Sequence, residues 1–108
     1  MTGPIKHIVM WRLRADTPEE RIAARRKVKD AFEGLIGRIE GLTHIEVGVD
    51  ISNVDYACDV VLVSEFADAA GLERYASHPE HLRVRQELGD LRIARHQVDY
   101  IADSARPA

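Results

Sequence analysis

The 108-residue chain has a single cysteine, Cys58. An intramolecular disulfide and a multi-cysteine zinc site are excluded, and the usage suits a reducing, cytoplasmic setting. Long hydrophobic runs are also missing. The longest, such as Ile8–Trp11 and Val60–Val63, fall far short of the roughly 20 apolar residues that span a bilayer. Residues 1–6 lack a basic start leading into an apolar stretch, so neither an export signal nor a membrane partner is expected. Nor is there a cationic excess: 15 Lys plus Arg against 18 Asp plus Glu leaves a formal charge of −3. Nucleic acid is therefore not an expected partner. No glycine-rich phosphate loop follows a strand and no GxSxG elbow occurs, which leaves nucleotide hydrolysis and acyl transfer without support.

What remains is a chain that is 45% apolar and 31% charged, the balance of one folded globular unit. Residues 1–101 read as one domain and 102–108 as a flexible, small and polar tail. IKHIVMWRLR, residues 5–14, is a strand pattern with Ile5, Val9, Trp11 and Leu13 on one face and Ile8 and Met10 on the other. A strand apolar on both sides must be covered on both. Thr17-Pro18-Glu19-Glu20 then supplies a hydroxyl N-cap, proline at the first helical position and a capping-box glutamate. Ala24, Val28, Ala31, Phe32, Leu35 and Ile39 keep helical spacing up to a stop at Gly41. The basic stripe Arg21, Arg25, Arg26, Lys27 and Lys29 reads as a solvated face, partly balanced by Asp30 and Glu33 at i+4.

Residues 43–51 alternate cleanly, with Ile45, Val47, Val49 and Ile51 on one face. Residues 58–66 carry Val60-Val61-Leu62-Val63, the run of a strand covered on both sides. Asp68 can cap a helix that contains Leu72 and Tyr75 and is interrupted at Pro79, which begins another helix ending at Gly89. Residues 93–101 form the last strand. Trp11 and Tyr100 are expected in the core or an interface. The order βαββαβ specifies an α+β, ferredoxin-like protomer, a four-stranded antiparallel sheet with its helices on one face. The other face needs a cover, and a second copy of the same sheet is the simplest one. A homodimer is expected.

Chemistry concentrates in Tyr75-Ala76-Ser77-His78-Pro79-Glu80-His81. Pro79 keeps His78 out of helical geometry, where it can cap, and places His81 in the first turn of the next helix. The positive end of that helix disfavours imidazolium, and a neutral imidazole can accept a proton. The Tyr75 phenol could polarise an oxygen of the same substrate. A purely structural role also fits, with Tyr75 packed on the sheet, its hydroxyl at the surface, and His81 solvated. The HxxH pair supplies at most two ligands from one turn, so no metal is expected. His7, on a strand face with Ile5, Val9 and Trp11, fits a hydrogen-bonded core histidine or a residue meeting a cavity.

Together, IKHIVMWRL, DVVLVSEF, YASHPEH and the closing VDY resemble, over about residues 5–101, the stress-responsive dimeric α/β-barrel (Dabb) family. The resemblance implies a protomer whose sheet pairs with another to form a barrel across the dimer. Most bacterial members have no assigned reaction; one plant relative is a polyketide cyclase catalysing an intramolecular aldol condensation of a linear polyketide thioester, and no cofactor is expected for this chain. Its Tyr and His pair falls on Tyr75 and His81, and its strand-borne pocket His on His7. The resemblance implies His81 as base and Tyr75 as the group holding an enolate oxygen, with His7, Val28, Phe32 and Val84 lining a pocket between sheet and helices. A cyclase tyrosine becomes Phe32, and apolar wall positions become Arg95 and Gln97. Those changes imply a smaller or more polar carbonyl-containing ligand. Two other readings stand beside this one: a non-catalytic, stress-associated dimer, and a cofactor-free monooxygenase-like barrel.

Overall fold

The computed structural model describes residues 3–102. Its elements are β1 (Ile5–Leu13), α1 (Pro18–Glu33), β2 (Leu42–Val49), β3 (Val60–Phe66), α2 (Ala69–Ser77), α3 (Pro79–Leu88) and β4 (Arg92–Ile101). All strands join one antiparallel sheet in the order β2-β3-β1-β4. This is the ferredoxin-like α+β arrangement, with the second helical segment broken in two. Residues 103–108 of the expected tail lie outside the described residues, while the Ala102 amide still donates to the Pro4 carbonyl.

The caps form where the residue types require them. The Thr17 hydroxyl accepts the Glu20 amide at 3.1 Å, and the Glu20 carboxylate turns back to the Asp16 amide at 2.7 Å. Asp68 accepts the Gly71 amide at 2.8 Å to open α2. Helix α1, however, ends at Glu33 rather than at Gly41. Leu35 and Ile39 keep helical spacing and are buried, yet they reach the core through successive turns, with Gly37 at φ 78° breaking the helical path. Ile51 also departs from expectation. Strand β2 stops at Val49, and Ile51 is 93% exposed in the loop that follows.

Residues directly paired across the ladders share a face. The helix-side face carries Val9, Trp11, Leu13, Val47, Val60, Leu62 and Phe66, closed over by Ala24, Val28 and Phe32 of α1, Tyr75 of α2 and Val84 and Leu88 of α3. Trp11 stacks on Phe32, ring centroids 5.1 Å apart. The opposite face, bearing Ile8, Met10, Val61, Val63, Val98 and Tyr100, has no helix on it. Tyr100 is 47% exposed there and belongs to this face rather than to the core.

Candidate active site

His7 sits on the helix side of β1, opposite Asp99 of β4. Its Nδ1 lies 2.5 Å from Asp99 Oδ1. With the Nδ1 proton donated in a hydrogen bond to the carboxylate, the Nε2 lone pair is left as the ring's acceptor. The His7 backbone is held on its other side, where the buried Ser64 hydroxyl donates to the His7 carbonyl at 3.1 Å.

Helix α2 brings Tyr75 down onto this pair. The Tyr75 and His7 rings meet edge to face at 5.9 Å, and Phe66 packs against both, 5.0 Å from the tyrosine and 6.4 Å from the histidine. Tyr75 is 2% exposed, and its hydroxyl is buried with no hydrogen-bond partner among the described residues. That rules out the surface position a purely structural tyrosine would take. Burial pushes the phenol pKa well above its ordinary value, so it remains a donor at any physiological pH. An unmade buried hydrogen bond costs about 1–3 kcal/mol, so this hydroxyl lowers the stability of the unliganded fold.

His81 completes the cluster. His78 caps α3 through Nδ1, which accepts the Glu80 amide at 3.0 Å. That junction sets His81 on the first turn, its ring 4.2 Å from the Tyr75 ring. Burial first, then Arg85 and Arg92 nearby, outweighs a hydrogen bond to Ala76 and brings its pKa down to about 4. His81 is therefore neutral at pH 7. Its Nδ1 lies 3.3 Å from the Ala76 carbonyl, which places the proton there and the lone pair on Nε2.

Tyr75, His81 and His7 are thus brought together from three elements. Asp99 escaped the sequence reading, since only the register of β1 against β4 joins it to a residue 92 positions earlier. Val28, Phe32 and Val84 are sealed into the core at 0%, 1% and 0% exposure. The side of the cluster left open is β4, largely exposed along its length, where Gln97 donates to Asp99 at 3.0 Å and Arg95 donates to Gln97. The site is a shelf over β4 instead of an enclosed pocket. A concavity of about 480 Å³ lies elsewhere, around Met10, Arg12, Gly48, Tyr56, Val61 and His96, next to the helix-free face.

The basic stripe of α1 is less solvated than its spacing suggests. Arg21 and Arg25 reach Asp59 Oδ1 at 2.8 and 3.1 Å, while Asp59 Oδ2 accepts the Leu13 amide at 2.7 Å. Burial raises the Asp59 pKa, but the amide and the two guanidiniums outweigh it and hold the carboxyl below its ordinary value. Lys29 forms the expected i,i+4 pair with Glu33 at 2.8 Å. This network ties α1 to the ends of β1 and β3 and stands apart from the tyrosine–histidine cluster.

The model of the stress responsive A/B barrel domain matches residues 5–102. The chain belongs to this family. An uncharacterized protein of Streptomyces coelicolor is 35% identical over 79 residues, 71% of this chain and 78% of that one. A solved structure from Bacteroides fragilis, described as a dimeric protein of unknown function with a ferredoxin-like fold, is 36% identical. It superposes with a TM-score of 0.80 over 93% of this chain and 97% of its own. A Dabb family protein from Mesorhizobium loti, 29% identical, gives 0.72 over 94% and 99%. The A/B barrel assignment accounts for the sheet order and for a helix-free face on each protomer.

Proposed function

We propose that this A/B barrel protein is a cytoplasmic homodimer in which each protomer binds a small carbonyl-containing metabolite at the His7–Tyr75–His81 cluster and moves a proton on it. The observation that carries the reading is the buried Tyr75 hydroxyl, without a partner among the described residues and borne by a ring that packs against both imidazoles. The dimer is supported by the apolar helix-free face and by the dimeric description of the Bacteroides fragilis relative.

The two imidazoles have different environments. At His81, burial opposes the charged form, and a base of such low proton affinity removes a carbon-bound proton poorly. At His7, the Asp99 carboxylate holds the Nδ1 proton and leaves the Nε2 lone pair as the acceptor. The family resemblance points to His81 as base; these surroundings favour His7, with His81 as a neutral acceptor that orients the substrate. His7 Nε2 takes a proton from the carbon beside the carbonyl. The C–H pair becomes the enolate double bond, and the negative oxygen accepts the Tyr75 hydrogen bond. That carbon then takes a proton back or bonds to a second carbonyl carbon, whose oxygen collects the proton from the His7 imidazolium. Atoms and electrons balance within the substrate.

The test is deuterium exchange at the α-carbon of a panel of carbonyl compounds, from neutral acetophenone to phenylpyruvate, followed by NMR. Exchange above the buffer rate that falls in His7→Gln and Tyr75→Phe supports the reading. A rate equal to buffer across the panel favours the non-catalytic dimer, for which the His78 cap gives HPEH a structural purpose.

A further inference from the structure

We propose that the ligand of this site carries a carboxylate, held by Arg92 and Arg95 at the edge of the β4 shelf. The inference rests on the small-molecule reading of the tyrosine–histidine cluster and names the substrate class within it.

Three guanidiniums stand on this side of the sheet: Arg85 of α3 and, on the helix side of β4 with Gln97 and Asp99, Arg92 and Arg95 opposite Leu13 and Trp11. Arg85 and Arg92 both disfavour the charged form of His81, and Arg92 and Arg95 both favour an ionised Tyr75. None of the three has a carboxylate in ion-pair distance among the described residues. The nearest acidic group in the chain of contacts, Asp99, is already paired with His7 and reaches Arg95 only through Gln97. Elsewhere in the protein the contrast is clear, since Arg21 and Arg25 converge on Asp59 and Arg83 on Glu80 and Glu87.

Arg92 is half-buried and stacked, its guanidinium carbon 5.1 Å from the Trp11 ring centroid and 5.9 Å from that of Phe32. Stacking on aromatic faces restrains the guanidinium plane and leaves its in-plane N–H donors for a carboxylate fork. A half-buried cation without a counterion is costly unless something anionic meets it. The unpartnered Tyr75 hydroxyl beside the same shelf is a second group lacking an oxygen to bind. One molecule with a carboxylate next to a carbonyl, a 2-oxo or 3-oxo acid, supplies both.

The experiment compares phenylpyruvate with its methyl ester, which replaces the carboxylate charge with one methyl group. Binding is read from the ¹⁵N imidazole resonances of His7 and His81 in the full-length protein, for wild type, Arg92→Gln and Arg95→Gln. The proposal expects the acid to bind at least tenfold more tightly than the ester in wild type. Each variant should lose that preference while keeping its ester affinity. Arg95 is exposed and outside the core, so Arg95→Gln keeps the test valid if loss of the Arg92 stack destabilises the fold. Equal affinity of acid and ester, or a preference that survives both substitutions, overturns the carboxylate assignment and leaves the small-molecule reading standing. If neither compound moves the His7 and His81 resonances, both readings are overturned.

Discussion

His7 and Asp99 face each other across the β1–β4 ladder with Nδ1 and Oδ1 2.5 Å apart, the imidazole buried and the carboxylate about one-third exposed. The strand register sets this pairing, so it exists before any ligand arrives. Replacing Asp99 with Asn removes the carboxylate that holds the His7 Nδ1 proton but keeps a group of the same size. The expected outcome is an α-proton exchange rate at least tenfold lower, on the scale of general base catalysis, with a stability loss of about 1–2 kcal/mol. NMR exchange and urea denaturation read the two effects separately.

His81 predicts a pH dependence with a definite sign. Its folded pKa is about 4 against the ordinary 6.5, so between those values the unfolded chain binds more protons than the fold. Stability therefore falls as pH drops from 6.5 toward 4. Discounted for its partial exposure, the loss attributable to His81 is about 2 kcal/mol. Wild type should lose that much more than His81→Gln over this range in urea titrations.

Asp59 should matter for stability and not for the site. Asp59→Ala removes the partner of the Leu13 amide and of two guanidiniums at once. A cost of about 2–3 kcal/mol is expected, reduced from the fully buried case because Arg21 remains partly solvated. The carboxyl has a lowered pKa, so its contribution is present above the ordinary 3.8 and disappears as pH falls through the folded value. Ligand-induced shifts of His7 and His81 should be unchanged in this variant.

The helix-free face should hold the dimer. Val98, 55% exposed and opposite Ile8, lies on that face without supporting the protomer core. Val98→Glu introduces two unpaired charges across a two-fold interface. Sedimentation should find the wild type at about 24 kDa, twice the 12.1 kDa chain, and the variant as a folded monomer.

Local signals carried most of the fold. The two-residue period of Ile5, Val9, Trp11 and Leu13, the Thr17 and Asp68 caps and the Pro79 junction each state their own geometry within a few residues. The end of α1 was hidden because Leu35 and Ile39 keep helical spacing while reaching the core through turns. Of the site, Tyr75 and His81 are legible because they share one junction. Asp99 and the Asp59 network are not, since strand register and the docking of α1 bring together residues tens of positions apart. Of the positive shelf, the sequence shows only Arg95 and Gln97 at apolar wall positions, because the stacking of Arg92 on Trp11 joins residues 81 positions apart.

Tyr75→Phe tests the central claim most directly, because a functional and a structural tyrosine respond in opposite ways. The variant should be as stable as wild type or up to about 1 kcal/mol more so, since it removes a buried hydroxyl with no partner among the described residues. Its α-proton exchange should fall by about two to three orders of magnitude, the usual cost of losing one donor to a developing oxyanion. A variant that loses 2 kcal/mol or more while exchanging protons at the wild-type rate would contradict the account.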